Sequence, residues 1–273
     1  MPPGDDAPAL DIPGAVLATA ALGAITWALT IGTGQAGWTP AAIAIGCGGA
    51  GLAVAFVAVE HVRKDRAMMP LKLFGSATFT GLTALTLLVY GALGALMVVL
   101  PYVLITAAHY SGTAAGSALL PFAAIMALAS PAMGAIAGRT GAKLPLTMGP
   151  LLVAAGFLWL FGVDSRAVYW TQVFPGIILM AIGMAMAVAP LTAAVLSSVD
   201  QRHTGSASGL NTAVARVAGM IATALLGGVL GLSGTALIGG FHMAVVICAV
   251  ACAAAAACAF FMISGASGRK PAG

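Results

Sequence analysis

The sequence predicts an all-α fold, a polytopic bundle of about eight transmembrane helices, on the strength of three observations. Eight long stretches are almost free of charge, and nearly every Lys and Arg lies in the short gaps between them. Hydrophobic residues make up 61% of the chain and charged residues 7%, whereas a soluble domain carries about 25% charged residues. The mean hydropathy is +1.07. Because so few polar residues cannot coat a water-soluble surface, we expect the lipid bilayer to be the solvent.

The length of each apolar stretch supports this count. A helix rises about 1.5 Å per residue, so roughly 20 apolar residues cross a hydrocarbon core about 30 Å thick. Trp38 lies between the first two spans, where an interfacial aromatic residue belongs. A polar segment, residues 60–72, separates the second span from the third. The predicted spans are residues 13–33, 41–59, 78–107, 114–137, 144–163, 170–198, 208–232 and 238–263.

The distribution of positive charge predicts the orientation. With eight spans both termini share a side, and successive gaps alternate between sides. Cytoplasmic loops are enriched in Lys and Arg, so the basic side is predicted to be cytoplasmic, with both termini there. The opposite side receives only Arg166. The basic side receives Arg63, Lys64, Arg66, Lys72, Arg139, Lys143, Arg202, Arg269 and Lys270.

Small residues predict close helix packing. The chain has 36 glycines, and in lipid helices associate through the close backbone approach that glycine permits. Gly227 and Gly231 form a G-x-x-x-G pair. Gly176, Gly183 and Pro190 recur every seven residues and place a smooth stripe on one helix face. Ordinary packing is the favoured interpretation of both patterns.

Several classes of site are disfavoured. The scattered cations form no basic stripe, which argues against a nucleic-acid partner. The cysteines lie inside apolar runs: Cys47, Cys248, Cys252 and Cys258. This position indicates small packing residues, and a metal or redox site is the minor alternative. No nucleophile motif, His-x-x-x-His pair or phosphate-binding loop occurs, so neither an enzyme nor a cofactor or metal site is predicted.

Carboxylates are predicted to lie outside the spans or at their edges: Asp5, Asp6, Asp11, Glu60, Asp65, Asp164 and Asp200. A proton-coupled carrier needs a buried titratable group. Among the histidines, His109 and His203 fall in loops on opposite sides. His242 lies about one turn inside the outer end of the last span, where an interfacial role is favoured over a proton-carrying one.

Arg216 is the one charge well inside a span. It lies about 16 Å along the helix counted from Gly205, and an embedded Arg costs at least ~2.5 kcal/mol unless it snorkels or lines a wet cavity. Two roles for the Arg216 side chain are equally compatible with the sequence. It could line a cavity or gate, or it could snorkel to the cytoplasmic surface. Asn211 is five residues earlier, not one helical turn, so the two need not share a face.

The gap after the fourth span carries the sequence Gly134-Ala-Ile-Ala-Gly-Arg139-Thr-Gly141-Ala-Lys143. This resembles the repeated loop motif of the major facilitator superfamily, G-x-x-x-D-R-x-G-x-[RK]. The acidic position of that motif is Gly138 here. The glycines would allow a tight turn and close helix approach, while Arg139 and Lys143 would hold the loop at the cytoplasmic face.

Longer stretches resemble the fourteen-helix drug:proton antiporter branch of that superfamily: residues 11–29, 100–123, 144–157, 169–196 and 205–219. In that branch two linker helices join two six-helix halves. The resemblance therefore implies two linker helices and a basic cytoplasmic loop in residues 1–75, and the C-terminal six-helix half in residues 76–273. It also implies that the first six helices, which carry the antiporter motif and most embedded charges, are absent here.

The resemblance implies a multi-pass protein of the bacterial inner membrane that takes part in proton-coupled efflux of amphipathic drugs or small molecules. A separate N-terminal half would be its partner, and Tyr90, Asn211 and Arg216 its candidate cavity residues. A non-transporting accessory membrane protein and a truncated inactive fragment are the alternatives.

Overall fold

The computed structural model describes residues 12–33, 37–63, 74–201 and 204–263, and those residues are helical with short connections. Eight helical segments are long and apolar enough to cross a membrane. The prediction of an all-helical bundle with eight spans is therefore confirmed. The helices are α1 (Ile12–Thr33), α2 (Pro40–Arg63), α3 (Ala77–Thr106), α4 (Gly112–Ser117), α5 (Leu120–Thr140), α6 (Lys143–Leu160), α7 (Phe174–Ser197, preceded by a π-helical turn at Tyr169–Val173), α8 (Thr204–Leu225), α9 (Gly227–Leu230) and α10 (Gly234–Met262).

Several predicted positions lie outside the described residues: Asp5, Asp6, Asp11, Lys64, Asp65, Arg66, Lys72, Arg202, His203, Arg269 and Lys270.

The predicted end of the second span is wrong. The second span was expected to end at residue 59 with a polar loop from residue 60, but α2 continues to Arg63. Glu60 therefore lies in the last turn of a helix, and only 1% of its surface is exposed. Helix ends are poorly marked in hydropathy, because a backbone can stay helical after the side chains turn polar.

The helices pack in a fixed order. Helix α3 packs against α8 on one side and α10 on another, while α6 packs against α7 and α10, and α5 against α7. Helices α1 and α2 pair with each other, and α1 also contacts α8. The shared core is filled mainly by large apolar side chains of α3, α6, α7 and α10, among them Leu85, Leu96, Leu100, Phe157, Ile177, Met180 and Phe241.

Glycines set the closest crossing, between α6 and α7. A Cβ built on Gly183 would lie 2.5 Å from the carbonyl oxygen of Gly149, and one on Gly156 would lie 2.7 Å from that of Gly176. The seven-residue spacing is the same on both helices, so the two glycine pairs meet as the antiparallel helices cross. The stripe formed by Gly176, Gly183 and Pro190 is buried. Its glycines serve packing, as the favoured interpretation held.

The Gly227–Gly231 pair forms no such crossing. Helix α8 ends at Leu225, and the single turn α9 contains Gly227 but not Gly231. Among described residues, the nearest atom that a Cβ on Gly231 would meet is the carbonyl oxygen of Gly227, at 4.0 Å. The helix break removes the continuous face that a G-x-x-x-G pair needs, so a helix-packing role for this pair is wrong.

The α6–α7 crossing can be tested with Gly183→Ala. The added methyl would meet the backbone at Gly149 and Val153, and overpacking of this kind costs about 1–3 kcal/mol. We expect a lower thermal unfolding temperature of the detergent-solubilised protein. Gly239→Ala in α10 is the control, because a Cβ there meets nothing within 4 Å. A Gly183→Ala protein that unfolds at the wild-type temperature would contradict the observed packing.

Candidate functional site

A cavity of about 850 Å³ lies between α1, α3, α7 and α8. Along α8 its wall extends from Ser208 to Ala224, which at helical rise is about 24 Å, most of the thickness of the hydrocarbon core. Apolar side chains supply part of the wall, including Leu93, Met97, Val98, Val195 and Leu196. The polar lining residues are Thr26, Thr30, Tyr90, Thr192, Ser208, Asn211, Thr212, Arg216 and Thr223.

Helices α3 and α8 run parallel in a constant register beside this cavity. The Thr86 hydroxyl meets Asn211, and a Cβ built on Gly94 would lie 2.7 Å from the Cα of Gly219. Both pairs are 125 residues apart along the chain. The close approach at the second pair is possible because neither residue has a side chain.

The contact between Thr86 and Asn211 is a partly buried interhelical hydrogen bond. Thr86 is fully buried, and its hydroxyl donates to Asn211 Oδ1 over 2.7 Å while lying 2.9 Å from the carbonyl oxygen of Leu82. In lipid an unsatisfied polar group has no water to bind, so such a pair holds two helices in one register. Asn211 also lines the cavity, and its amide hydrogens have no partner among the described residues.

All three candidate cavity residues line the same cavity. Tyr90 follows Thr86 by one turn on α3, and the register of the two helices brings it level with Ala215, beside Arg216. Asn211 and Arg216 both line the cavity although five residues separate them, because the cavity is bounded by α3 and α7 and so reaches more than one face of α8. Their role in binding a substrate stays a prediction.

Arg216 supplies the only charge on the cavity wall among the residues described. It lies 12 residues after the start of α8 at Thr204, about 18 Å into the helix, and its side chain is exposed toward the cavity. The described carboxylates, Glu60, Asp164 and Asp200, do not line the cavity. A cavity at this depth gives the guanidinium a place away from the lipid tails, which favours a cavity role over snorkelling.

Three of the lining threonines use their hydroxyl hydrogens within their own helices. Thr30 donates to the carbonyl oxygen of Thr26, Thr192 to that of Val188, and Thr212 to that of Ser208. These hydroxyls therefore offer the cavity acceptor oxygens only. Within the described chain, Tyr90 and Arg216 make no hydrogen bond, so their donors remain available to the cavity.

The loop motif lies away from the cavity, at the turn from α5 to α6. Gly141 ends α5 with a φ of +90°, a conformation that glycine adopts readily, and its N–H donates to Ala137 over 2.8 Å. Lys143 begins α6, and its Nζ lies 5.0 Å from the centre of the Phe260 ring on α10. Gly134 approaches Ala189 of α7, while Arg139 is exposed.

His242 contacts the loop that follows α6. Its Nε2–H donates to the carbonyl oxygen of Val163 over 2.9 Å, and its ring stacks on Phe161 at 4.4 Å. It lies apart from the cavity, eight residues after the start of α10. This geometry fits a structural link between α10 and the loop that follows α6.

Sequence reasoning missed Thr86, Thr26 and Thr30. Thr86 could have been found, because it lies one turn before Tyr90 on the same helix face. Thr26 and Thr30 carry the same one-turn spacing on α1. Nothing in the chain indicated that α1 would pack near α8, where the Thr26 hydroxyl lies 3.6 Å from the sulfur of Met220.

The profile of the Major Facilitator Superfamily matches residues 82–273, well over half of the chain. The chain belongs to that superfamily. It is accordingly a multi-pass membrane protein of a transporter family, as the loop motif and the eight spans predicted. The fourteen-helix branch within the superfamily stays a prediction.

Curated relatives of this superfamily member match about four fifths of its length. It is 29% identical to the multidrug resistance protein Stp of Mycobacterium tuberculosis, over 81% of this chain and 40% of Stp. It is 29% identical to the tetracenomycin C resistance and export protein of Streptomyces glaucescens, over 80% of this chain and 40% of the relative. It is 31% identical to the cephamycin export protein CmcT of Amycolatopsis lactamdurans, over 80% of this chain and 45% of the relative. The chain thus spans less than half the length of these relatives.

The α3–α8 hydrogen bond can be tested with Thr86→Val, which keeps the shape and removes the hydroxyl. Interhelical hydrogen bonds in membranes contribute about 0.6–1.7 kcal/mol, so we expect a measurable drop in the thermal unfolding temperature. Thr83→Val is the matched control on α3, because that hydroxyl donates only to the carbonyl oxygen of Phe79 in its own helix. Equal stability of the two variants would argue that Thr86 does not join the helices.

Proposed function

We propose that this chain forms the C-terminal half and the two linker helices of an efflux transporter that moves amphipathic small molecules out of the cell. The observation that carries the proposal is the cavity between four helices long and apolar enough to span a membrane, in a chain of the major facilitator superfamily. Its apolar walls suit the apolar part of a ligand, since methionines such as Met97 and Met220 adapt to varied shapes. Its polar groups would orient the ligand.

The names of the relatives support export of small molecules. They are described as multidrug resistance and antibiotic export proteins. Drug efflux is therefore the proposed direction and substrate class for this chain.

The proposed mechanism is alternating access. Two six-helix halves would rock about a central cavity and expose it to each side in turn. Residues 1–75 would contribute the two linker helices, and residues 76–273 one of the halves. The other half would come from a further six helices, in accord with a chain that spans less than half of its relatives.

Proton coupling is proposed to reside mainly in that other half. Coupling needs a titratable group that alternates between the two sides. The four helices around the cavity contain no Asp or Glu in their described residues. A carboxylate within the helices of the partner half would supply the group.

The proposed location is the cytoplasmic membrane with both termini inside, which follows from the basic loops. Two cysteines introduced into a background with the four native cysteines replaced by Ala would test it. Gly112→Cys should react with a membrane-impermeant maleimide added outside intact cells, and Gln201→Cys only after permeabilisation. Labelling of both positions from one side would contradict the eight-span topology.

Efflux itself can be tested in proteoliposomes with an imposed pH gradient and the dye ethidium. The chain reconstituted with a separate six-helix N-terminal half should transport the dye, and Ala215→Phe, which fills the cavity, should reduce transport by at least about tenfold. Ala253→Phe, on the exposed face of α10, should not.

If this chain moves no dye with any separate N-terminal half, the result would argue for an accessory or inactive protein. Proton-coupled transport by the chain alone would overturn the assignment of coupling to the other half.

A further inference from the structure

We propose that the cavity selects amphipathic anions, compounds with an apolar ring system and a carboxylate, sulfonate or phenolate group that binds Arg216. This inference rests on the proposed function only in taking the cavity to be the substrate site. It names a class of ligand that neither the fold nor the relatives assign.

The first argument is the charge of the cavity. Arg216 is its only charged lining residue in the described chain, and the described parts of α1, α3, α7 and α8 hold no acidic side chain. An embedded guanidinium is therefore balanced by nothing on the surrounding helices. An anionic ligand would supply the missing charge in a setting of low dielectric, where charge-assisted hydrogen bonds are strong.

The second argument is the set of free hydrogen-bond donors on the cavity wall. The lining hydroxyls of Thr30, Thr192 and Thr212 donate to backbone carbonyls of their own helices and so supply none of these donors. Asn211 uses its oxygen to accept from Thr86, which leaves its amide N–H groups. With the guanidinium of Arg216 and the hydroxyl of Tyr90, the cavity offers donors that an oxygen-rich anion can satisfy.

The third argument is the position of these donors. Parallel packing of α3 and α8 puts Tyr90 level with Ala215, beside Arg216. One turn beyond Arg216, Met220 contacts Thr26 of α1, so α1 borders the same region. The head group of a ligand would therefore sit near mid-membrane, with its rings along Leu93, Met97 and Met220.

A pair of fluorescent probes isolates the charge. 1-Anilinonaphthalene-8-sulfonate and N-phenyl-1-naphthylamine share one ring system and differ by the sulfonate. Binding of each would be measured by fluorescence titration of the full chain in nanodiscs of neutral lipid, against empty nanodiscs. Arg216→Gln should weaken sulfonate binding about tenfold, equivalent to about 1.4 kcal/mol, and leave the neutral probe unchanged. Arg216→Lys should retain most of the affinity.

Two matched controls separate the cavity from general charge. Arg139→Gln removes the same charge at an exposed position outside the cavity, and it should not alter binding of either probe. Thr212→Glu keeps Arg216 and places a carboxylate one turn before it, a spacing at which Glu and Arg pair. Thr212→Gln has the same length without the charge and is its reference, and Thr212→Glu should bind the sulfonate about tenfold more weakly than Thr212→Gln.

The outcomes are distinct. Equal loss of both probes in Arg216→Gln and Thr212→Glu, or no loss of the sulfonate, overturns the anion preference. Loss in Arg139→Gln equal to that in Arg216→Gln overturns the assignment to this cavity. If sulfonate binding depends on Arg216 but no efflux is found, the proposed function is contradicted and the binding site is still supported.

Discussion

The parallel packing of α3 against α8 is the contact on which the cavity depends. Lipid tails are as apolar as leucine, so two membrane helices gain little from burying greasy surface against each other. They must approach closely enough for dense backbone contact or be joined by polar groups. This pair does both, through Gly94 against Gly219 and through the bond between Thr86 and Asn211. The resulting register brings Tyr90 and Arg216 to one level.

The helix ends opposite the α5–α6 turn are joined by hydrogen bonds from side chains to backbone carbonyls. Aromatic and histidine side chains donate to backbone carbonyls across the loops: Tyr102 to Leu230, Tyr110 to Ala167, and His242 to Val163. Each bond satisfies a carbonyl that has no helical partner, where water and lipid meet. These bonds thereby hold α3, α6 and α10 together away from the cavity.

The lipid bilayer also determines where charged residues lie in the described chain. Lys143 lies at the start of a helix against the ring of Phe260, and Arg139 is exposed at the end of another. Arg216 departs from this rule, and it does so on the wall of a cavity and not toward lipid. An embedded charge that the fold tolerates beside a cavity marks that cavity as the region most suited to a polar ligand.

The number, length and identity of the spans followed from the sequence, because the bilayer demands about 20 apolar residues per crossing and penalises charges within it. The loop motif and the family followed as well. The sequence did not show which face of each helix packs against a neighbouring helix. Helices such as α3 and α10 are apolar on every side, so periodicity carries no record of which face meets which neighbour.

Only the tertiary structure could therefore bring Asn211 and Arg216 to one cavity, pair Thr86 with Asn211 and set α1 beside Met220. It also moved Glu60 from an expected loop into a buried helical turn. These features arise from contacts between helices distant in the chain. Their register is decided by where glycines let two backbones meet, a property of a pair of helices that neither sequence segment contains alone.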